Sequence, residues 1–301
     1  MKEGLNRREF TRLSAALAIA VLGHRSLAEA RPERIVGIQQ YMVKDLMTKD
    51  PEGTLAELAS IGYTEIEAYG FTIANPKEFR QQVNAAGLRC FSGQFDFGFD
   101  DPSKALDKAS ALGVRYAISS MLLPRLRSGV DFYAMVNSLT QDDFKRMAYR
   151  ANEIGEHARK RGLKYAYHNH WFEFRDFGNG ETGYSILLKE TDSALVEFEP
   201  DAGWMAVGGA NPVQLLQKMQ GRFHLIHFKD FVVRTPPTSS DHEQQFVDLG
   251  DGMVPLKSIV DCAKGLGIEH FIVDHDPPFH GMTPIDAARL DYGFLAGLLK
   301  G

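Results

Sequence analysis

Residues 164–170 have the sequence Lys-Tyr-Ala-Tyr-His-Asn-His, a short aromatic-rich run that ends on side chains able to bind a metal ion. Three later runs repeat this pattern and end on Asp, and they cover Leu195–Asp201, Phe223–Asp230 and His270–Asp276. The runs recur at intervals of roughly 30 to 45 residues, as parallel strands joined by helices do. They therefore predict strands that carry functional side chains to the carboxyl-terminal rim of a barrel.

Eight apolar or β-branched runs of strand length alternate with amphipathic stretches of helical spacing. The predicted strands are Ile35–Val43, Tyr63–Tyr69, Leu88–Phe97, Arg115–Leu122, Lys164–His170, Ala194–Asp201, Phe223–Phe228 and Ile268–Asp274. This alternation favours a parallel sheet, and eight units in about 270 residues favour closure into a (β/α)8 TIM barrel. A doubly wound open sheet is the competing fold, but residues 35–41 lack its Gly-rich phosphate loop.

The N-terminus has the features of an export signal. Arg7 and Arg8 precede an apolar stretch, residues 13–23, that is too short to span a bilayer comfortably. The segment Ala28-Glu-Ala30 then offers a cleavage site with small residues. The arginine pair, with Phe10 two residues later, resembles a twin-arginine signal. We therefore expect a signal peptide at the N-terminus and a periplasmic mature protein.

The rest of the chain has the composition of an ordinary globular protein, with 44% hydrophobic and 24% charged residues. We expect residues 1–30 to be the signal peptide and residues 31–301 to form a single barrel domain, because no linker or low-complexity segment interrupts them. The formal net charge of −5 argues against a nucleic acid as partner. Nothing in the spacing of Cys90 and Cys262 supports a disulfide.

Four polar side chains stand at the ends of predicted strands five to eight: His168, Asp201, His227 and Asp274. The ends of neighbouring strands lie about 5 Å apart, so one side chain from each strand can converge on one ion. A mixed set of imidazoles and carboxylates suits a divalent metal such as Mn, Co, Zn or Mg. Such an ion would polarise a sugar carbonyl and stabilise an enediolate or alkoxide.

Removal of a proton next to a carbonyl also requires a base close to the bound substrate. The candidate bases are His170, Glu173 and Glu67, the last near the end of the second strand. Lys229 is predicted either to bind a substrate oxygen or to pair with its neighbour Asp230, and the pair is the favoured role.

Two further carboxylates, Glu197 and Glu199, alternate with apolar neighbours on the sixth predicted strand. We expect at least one of them to point outward, toward the helices or solvent.

Several motifs of the chain resemble the sugar phosphate isomerase/epimerase family, a part of the xylose-isomerase-like TIM barrel superfamily that also holds inosose dehydratases and ketose 3-epimerases. They are Gly37-Ile-Gln-Gln-Tyr-Met-Val-Lys-Asp-Leu46, Tyr167-His-Asn-His-Trp-Phe-Glu-Phe174, Asp201 with Trp204, and His227-Phe-Lys-Asp230. The resemblance covers nearly all of the mature chain. It is specific for the superfamily and much less so for the reaction.

The resemblance implies a metal held by a carboxylate after strand five, an Asp after strand six, a His after strand seven and a Glu after strand eight. By position, Asp201 and His227 match the Asp and the His. His168 stands where many relatives have Glu, and Glu173 is the alternative ligand from that strand. Asp274 stands where relatives commonly have Glu, and its side chain is one methylene shorter.

The resemblance and the candidate ligands together imply a metal-dependent isomerase, epimerase or related lyase that acts on a carbohydrate or keto-sugar. The chain shows no strong phosphate-binding motif, so a free sugar, a polyol or a keto-glycoside is the expected substrate. The alternative is a non-catalytic periplasmic sugar-binding or accessory protein, suggested by His168 and Asp274 in place of glutamates. A metal-dependent nuclease on the same barrel is disfavoured by the acidic net charge.

The expected partner is therefore a small-molecule carbohydrate. We expect no nucleic acid and, after removal of the signal, no membrane among the partners. Barrels of this superfamily often dimerise, so a homodimer is an open expectation.

Overall fold

In the computed structural model, which describes residues 35–123, 131–178, 180–232, 236 and 245–301, eight parallel strands form a nearly closed barrel. The strands are β1 (Ile35–Gln39), β2 (Glu65–Tyr69), β3 (Ser92–Gln94), β4 (Tyr116–Ser119), β5 (Lys164–His168), β6 (Val196–Glu199), β7 (Leu225–Phe228) and β8 (His270–Val273). They pair in the order β6-β5-β4-β3-β2-β1-β8-β7. The predicted TIM barrel is therefore confirmed.

The ring closes between β6 and β7 through a single parallel bridge that joins Asp201 to His227. The backbone N–H of His227 donates to the carbonyl of Pro200 at 2.8 Å at the same place. Both bridge residues were predicted as metal ligands. Closure of the barrel thus brings two candidate ligands side by side.

Helices follow the strands and pack on the outside of the barrel. In the described ranges they are α1 (Lys44–Lys49), α2 (Pro51–Ile61), α3 (Pro76–Ala85), α4 (Ser103–Leu112), α5 (Phe132–Asn137), α6 (Gln141–Lys160), α7 (Gly183–Glu190), α8 (Ala202–Val207), α9 (Pro212–Lys218), α10 (Leu256–Gly265) and α11 (Pro284–Lys300). Many begin at a polar residue that caps free backbone N–H groups, as Asn75 does before Pro76 and Thr140 does in a capping box with Asp143.

Two apolar regions stabilise this arrangement. The larger core lies between the strands and the helices and includes side chains such as Val196, Phe198 and Phe271. A small separate cluster fills the middle of the barrel, and its members are Tyr116, Ile118, Ala166, Leu225 and Ile272. This cluster separates polar groups at the amino-terminal end of the barrel from those at the carboxyl-terminal end.

All eight strands are shorter in the structure than predicted, and the first and the third show a local cause. The first ends at Gln39, because the Gln39 side chain accepts a hydrogen bond from the Tyr41 N–H at 3.0 Å and residues 40–43 turn into a 3-10 helix. The third is regular only from Ser92, because the Phe91 carbonyl accepts hydrogen bonds from two successive N–H groups of the neighbouring segment. A hydrophobic pattern does not encode either event.

The described residues from Ile35 onward belong to one compact unit. The predicted signal peptide, residues 1–30, lies outside the described residues. Within those ranges, no helix combines the length and the apolar character needed to cross a membrane.

Candidate metal and substrate site

The four predicted metal ligands come together at the carboxyl-terminal end of the barrel. His168 ends β5, Asp201 precedes α8, His227 lies in β7 and Asp274 follows β8. One nitrogen or oxygen atom from each of the four lies within 4.8 Å of the others, and all four side chains are buried. The arrangement therefore presents two imidazoles and two carboxylates to one point.

Local hydrogen bonds fix the position of Asp201. Its Oδ1 accepts a hydrogen bond from the Trp204 N–H at 2.8 Å and so caps α8. The neighbouring strand end adds Asn169, whose side-chain oxygen accepts from the Asp201 N–H at 3.1 Å and whose amide donates to the Asp201 carbonyl at 3.3 Å. The backbone of Asp201 is thus tied to the end of β5 from both sides.

Carboxylates hold both histidines from behind. Nδ1 of His168 lies 3.0 Å from Glu199 Oε2. Nε2 of His227 lies 3.0 Å from Glu67 Oε1 and 3.2 Å from Glu199 Oε1, while its Nδ1 lies 3.1 Å from Asp274 Oδ2. Each imidazole therefore has one nitrogen that contacts a carboxylate outside the set of four predicted ligands.

The residues present fit a divalent cation. Oδ2 of Asp201 has no hydrogen-bond partner among the described residues although its side chain is fully buried, and it lies 4.0 Å from His168 Nε2. A buried carboxylate oxygen without a donor is costly and calls for an explanation such as a cation. Mixed imidazole and carboxylate donors are the set that such transition metals prefer.

Electrostatics support the same conclusion. Burial raises the pKa of Asp201 to about 7, and burial together with the Glu67 carboxylate raises the pKa of Glu199 well above its usual range. Burial also lowers the pKa of His168 well below its usual value, so this imidazole is neutral, as a ligand must be. The site thus holds more carboxylates than its own cations neutralise.

The pKa values of Asp274 and His227 shift toward their charged forms, because opposite charges face them. Burial opposes ionisation of Asp274, but the ammonium of Lys229 and the ring of His227 outweigh it and hold the pKa of Asp274 well below its usual range. Burial likewise opposes the charged form of His227, but the carboxylates of Glu199 and Glu67 raise the pKa of His227 well above its usual value. A metal ion at Nδ1 of His227 therefore has to displace a proton.

The four predicted catalytic residues fall into two groups. His170 and Lys229 line a cleft of about 480 Å³ that opens above the ligands. The structure places Glu67 beneath the ligands, where its oxygens accept hydrogen bonds from Gln39, Ser92, Gln94 and His227. These hydrogen bonds engage both oxygens of Glu67.

The structure also places Glu173 outside the group of four ligands. Its oxygens accept hydrogen bonds from the Tyr167 hydroxyl at 2.8 Å and from the His170 N–H at 3.0 Å. Burial raises the pKa of Glu173 to about 7. His168, and not Glu173, is the strand-five residue that lies beside Asp201 and His227.

The favoured pairing of Lys229 with Asp230 is wrong. Lys229 Nζ donates to Asp276 at 2.6 Å and lies 3.1 Å from Asp274, both at the end of the neighbouring strand β8. Successive residues of an extended chain point in opposite directions, so Lys229 and Asp230 face different sides. Asp230 instead accepts four backbone N–H groups of the loop that follows β7.

The expectation for Glu197 and Glu199 is also wrong, because neither points outward. Residues two apart share one face of a strand, and in β6 Val196 and Phe198 take the outer face, against the helices. Glu199 therefore reaches the two histidines, and Glu197 binds Lys164, Tyr116 and His224 below the central apolar cluster. Glu199 was missed as a site residue, although its spacing of two from Asp201 was a usable signal.

Aromatic side chains form much of the wall of the cleft. Among those that line it are Tyr41, Tyr69, Phe132, Tyr133, Trp171 and Trp204. Lys229 Nζ lies 5.3 Å from the ring centre of Trp204, at the boundary between the charged floor and the aromatic wall. Faces of aromatic rings and a few fixed polar groups are typical of sites for small polar ligands.

Comparison with known proteins places these observations in a family. The sequence profile described as xylose isomerase-like TIM barrel matches residues 55–289. The inosose dehydratase of Lacticaseibacillus casei is 28% identical over 155 residues, which cover 46% of this chain and 49% of that protein. The inosose dehydratase of Geobacillus kaustophilus is 25% identical over 193 residues, which cover 58% and 60%. The chain thus spans about half the length of the curated relatives that it matches.

Solved structures share the architecture. A sugar phosphate isomerase/epimerase from Parabacteroides distasonis superposes with a TM-score of 0.70 at 24% identity, covering 90% of this chain and 96% of that one. The IOLI protein, solved with a bound zinc atom, superposes with a TM-score of 0.60 at 14% identity, covering 88% and 98%. At these identities the likeness demonstrates a common fold.

Proposed function

This chain belongs to the xylose isomerase-like TIM barrel family, and on that premise we propose that it is a metal-dependent enzyme that removes a proton next to a carbonyl group of a carbohydrate. The observation that carries the proposal is the convergence of four donor atoms, from His168, Asp201, His227 and Asp274, within 4.8 Å of one another. The printed names of relatives, inosose dehydratase and sugar phosphate isomerase/epimerase, agree with this class of chemistry.

The four donors would hold Mn, Co, Zn or Mg. When bound, such an ion supplies a positive charge that polarises the carbonyl and stabilises negative charge on its oxygen. His168 would bind through Nε2, because Glu199 occupies its Nδ1. His227 would bind through Nδ1, because Glu67 occupies its Nε2.

We assign the proton transfer to His170, which lines the cleft close to the ligands, with its ring centre 5.2 Å from that of His168. Lys229 acts as a fixed cation rather than as a base. Burial disfavours its charge, but Asp274 and Asp276 raise the pKa of Lys229 well above its usual value. Its ammonium is therefore available to bind and orient a substrate oxygen.

The geometry gives the other two candidates supporting roles. Glu67 orients His227 from below, and Glu173 fixes the backbone of the turn that carries His170. Neither of them lines the cleft. We therefore assign both residues to positioning catalytic side chains through these hydrogen bonds, and not to proton transfer.

The proposed substrate is an unphosphorylated sugar, polyol or keto-glycoside whose ring packs against the aromatic wall of the cleft. Isomerisation, epimerisation and dehydration of such a compound all begin with removal of a proton next to a carbonyl. They differ in where the proton returns or which group leaves. The same four candidate ligands and the same proton-transfer residue therefore serve each of the three reactions.

A deuterium-exchange assay tests this proposal. The mature protein, loaded with each of the four metals in turn, is incubated in D2O with a panel of free ketoses, inososes and 3-keto-glycosides. We expect NMR to show deuterium next to the carbonyl of at least one compound, and we expect a chelator to stop the exchange. Exchange that continues at full rate after complete removal of metal would argue against metal dependence.

A second candidate function is a sugar-binding protein without catalysis. It is favoured by the 3.1 Å contact between Lys229 and Asp274, which already supplies a cation to one of the four ligands. Calorimetry separates the two functions. Tight binding of a sugar by metal-free protein, with no deuterium exchange under any metal, would support this candidate.

We also propose that residues 1–30 direct export to the periplasm and that residues 31–301 constitute the mature domain. The support is the Arg7-Arg8 pair, the short apolar stretch and the small-residue cleavage site. A homodimer stays an open prediction.

A further inference from the structure

We infer that Glu199 is a positioning residue that fixes which ring nitrogen His168 and His227 present to the metal. The inference rests on the proposed metal site and goes beyond its four ligands. Glu199 lies on β6, two residues before Asp201, and its side chain is fully buried beneath that aspartate. It is the one carboxylate of the described residues that contacts both histidines of the four-ligand set.

The contact with His168 is a direct hydrogen bond. Oε2 of Glu199 lies 3.0 Å from Nδ1 of His168, and the two residues are register partners on adjacent parallel strands. With Glu199 Oε2 as the acceptor of this hydrogen bond, the proton of His168 is held on Nδ1. The lone pair of Nε2 is then directed toward Asp201 Oδ2, 4.0 Å away.

The contact with His227 uses the other oxygen. Oε1 of Glu199 lies 3.2 Å from Nε2 of His227, and Glu67 Oε1 lies 3.0 Å from the same nitrogen. Glu67 makes the hydrogen bond to this nitrogen, Glu199 Oε1 lies beside it with no hydrogen-bond partner among the described residues, and Nδ1 is the nitrogen that faces Asp274. Metal-binding histidines are commonly oriented by a carboxylate on their second nitrogen, but here one carboxylate serves two of them.

This role also explains how the chain tolerates His168 at the end of β5. A histidine has two nitrogens that can bind metal or carry a proton, whereas a carboxylate ligand needs no such choice. Glu199 makes the choice for His168 through a single hydrogen bond. A carboxylate is thus still present at this end of the barrel, but it is Glu199 of β6 and it lies behind the imidazole of His168.

The chain offers a matched control in Glu197. It lies on the same face of the same strand, but its partners are Lys164, Tyr116 and His224 at the other end of the barrel. Glu199→Gln and Glu197→Gln therefore make the same chemical change on one strand, inside and outside the site. A general effect on the barrel appears in both variants, and an effect on metal ligation appears in the first alone.

The test measures Co²⁺ binding by competition with a chelator and records the visible spectrum of the Co²⁺ protein. We expect Glu199→Gln to weaken binding by about 10- to 100-fold, the usual effect of losing a partner of a metal ligand, and to change the spectrum. Glu197→Gln should match the wild type in both. Equal affinity and an unchanged spectrum in Glu199→Gln would overturn the inference, while absence of metal from the wild type would instead overturn the proposed function and the inference with it.

A measurement on the unaltered protein decides the matter if Glu199→Gln does not fold. In the zinc-loaded wild type, ¹⁵N NMR of the histidine side chains reports which nitrogen carries a proton. We expect the proton on Nδ1 of His168 and on Nε2 of His227. A zinc-loaded protein in which His168 carries its proton on Nε2 would contradict the role of Glu199.

Discussion

Asp201 shows how one residue serves both the fold and the site. Its Oδ1 caps α8 through the Trp204 N–H, whereas Oδ2 lies buried without a hydrogen-bond partner among the described residues. Asp201→Asn keeps a capping oxygen and removes the charge. We expect metal affinity to fall by more than the roughly 10- to 100-fold that follows loss of a ligand's partner, while the metal-free protein keeps its stability.

The comparison variant for this prediction is Asp201→Ala, which loses the cap as well as the charge. It should be about 1 kcal/mol less stable than Asp201→Asn in urea unfolding with a chelator present. Wild-type metal affinity in Asp201→Asn would show that the aspartate is not a ligand.

Glu173 predicts a dependence of stability on pH. Burial raises its pKa from 4.5 to about 7, so the folded state favours the protonated form. The associated stability is fully present below pH 4.5 and is lost as the pH rises through 7. Glu173→Gln stays neutral, so we expect its stability relative to the wild type to increase by up to about 3 kcal/mol between pH 4.5 and 8.

Urea unfolding of both proteins across this range checks the prediction. Glu197→Gln is the control, because its neighbours hold the pKa of Glu197 at about 2, against the effect of burial, and its ionisation changes below this range. A difference between Glu173→Gln and the wild type that stays constant with pH would contradict the assignment.

At the level of residues, the sequence predicts the candidate ligands better than the residues that position them. The convergence of His168, Asp201, His227 and Asp274 could be predicted because strand ends of a parallel barrel meet at one rim. The partners of Glu199 and of Lys229 could not be predicted, because they depend on strand register. Register is set by packing across neighbouring strands, which a local pattern does not contain.

At the level of elements, one carboxylate binds four backbone N–H groups of the described part of the segment after β7. Asp230 accepts hydrogen bonds from the N–H groups of Phe231, Gly250, Gly252 and Val254 at 2.8 to 3.1 Å. Asp230→Ala leaves these donors without their acceptor. We expect a loss of about 2 to 4 kcal/mol in the free energy of unfolding, because each such bond contributes about 1 kcal/mol.

Hydrogen exchange locates that effect. The amides of Gly250, Gly252 and Val254 should lose protection in Asp230→Ala, while amides of β4 and β5 should keep theirs relative to global unfolding. Unchanged protection of the three loop amides would mean that other contacts hold this loop.

The order of elements was predictable, whereas some of their ends were not. Alternating strand and helix patterns with glycine or proline boundaries identify all eight strand positions. The ends of β1 and β3 were misplaced because they depend on a single side-chain hydrogen bond at Tyr41 and on irregular pairing at Phe91. Both are individual interactions rather than periodic features.

At the level of the whole molecule, closure of the barrel and assembly of the site are one event. The bridge between Asp201 and His227 joins β6 to β7 and places two candidate ligands together. The sequence predicts closure through the number of βα units and the lack of a phosphate loop. It does not predict that only a single bridge joins β6 to β7, because that depends on the lengths of these two strands in the folded protein.

Export of the whole chain is a separate prediction. Its motif, residues 1–30, lies outside the described residues. Replacing Arg7 and Arg8 by lysines should retain the protein in the cytoplasm, because the twin-arginine route depends on the arginine pair. Cell fractionation with mass determination of the exported form checks this, and export of the lysine variant with cleavage near Arg31 would point to a different route.

The metal content of the purified mature protein tests the proposed site most directly. Elemental analysis compares the wild type, the double variant Asp201→Ala His227→Ala and the control Glu197→Gln after incubation with Mn, Co, Zn and Mg. We expect about one metal ion per chain in the wild type and the control, and none in the double variant, because that variant keeps only two of four ligands. Absence of metal from the wild type under every condition, or equal metal in the double variant, would contradict the proposed site.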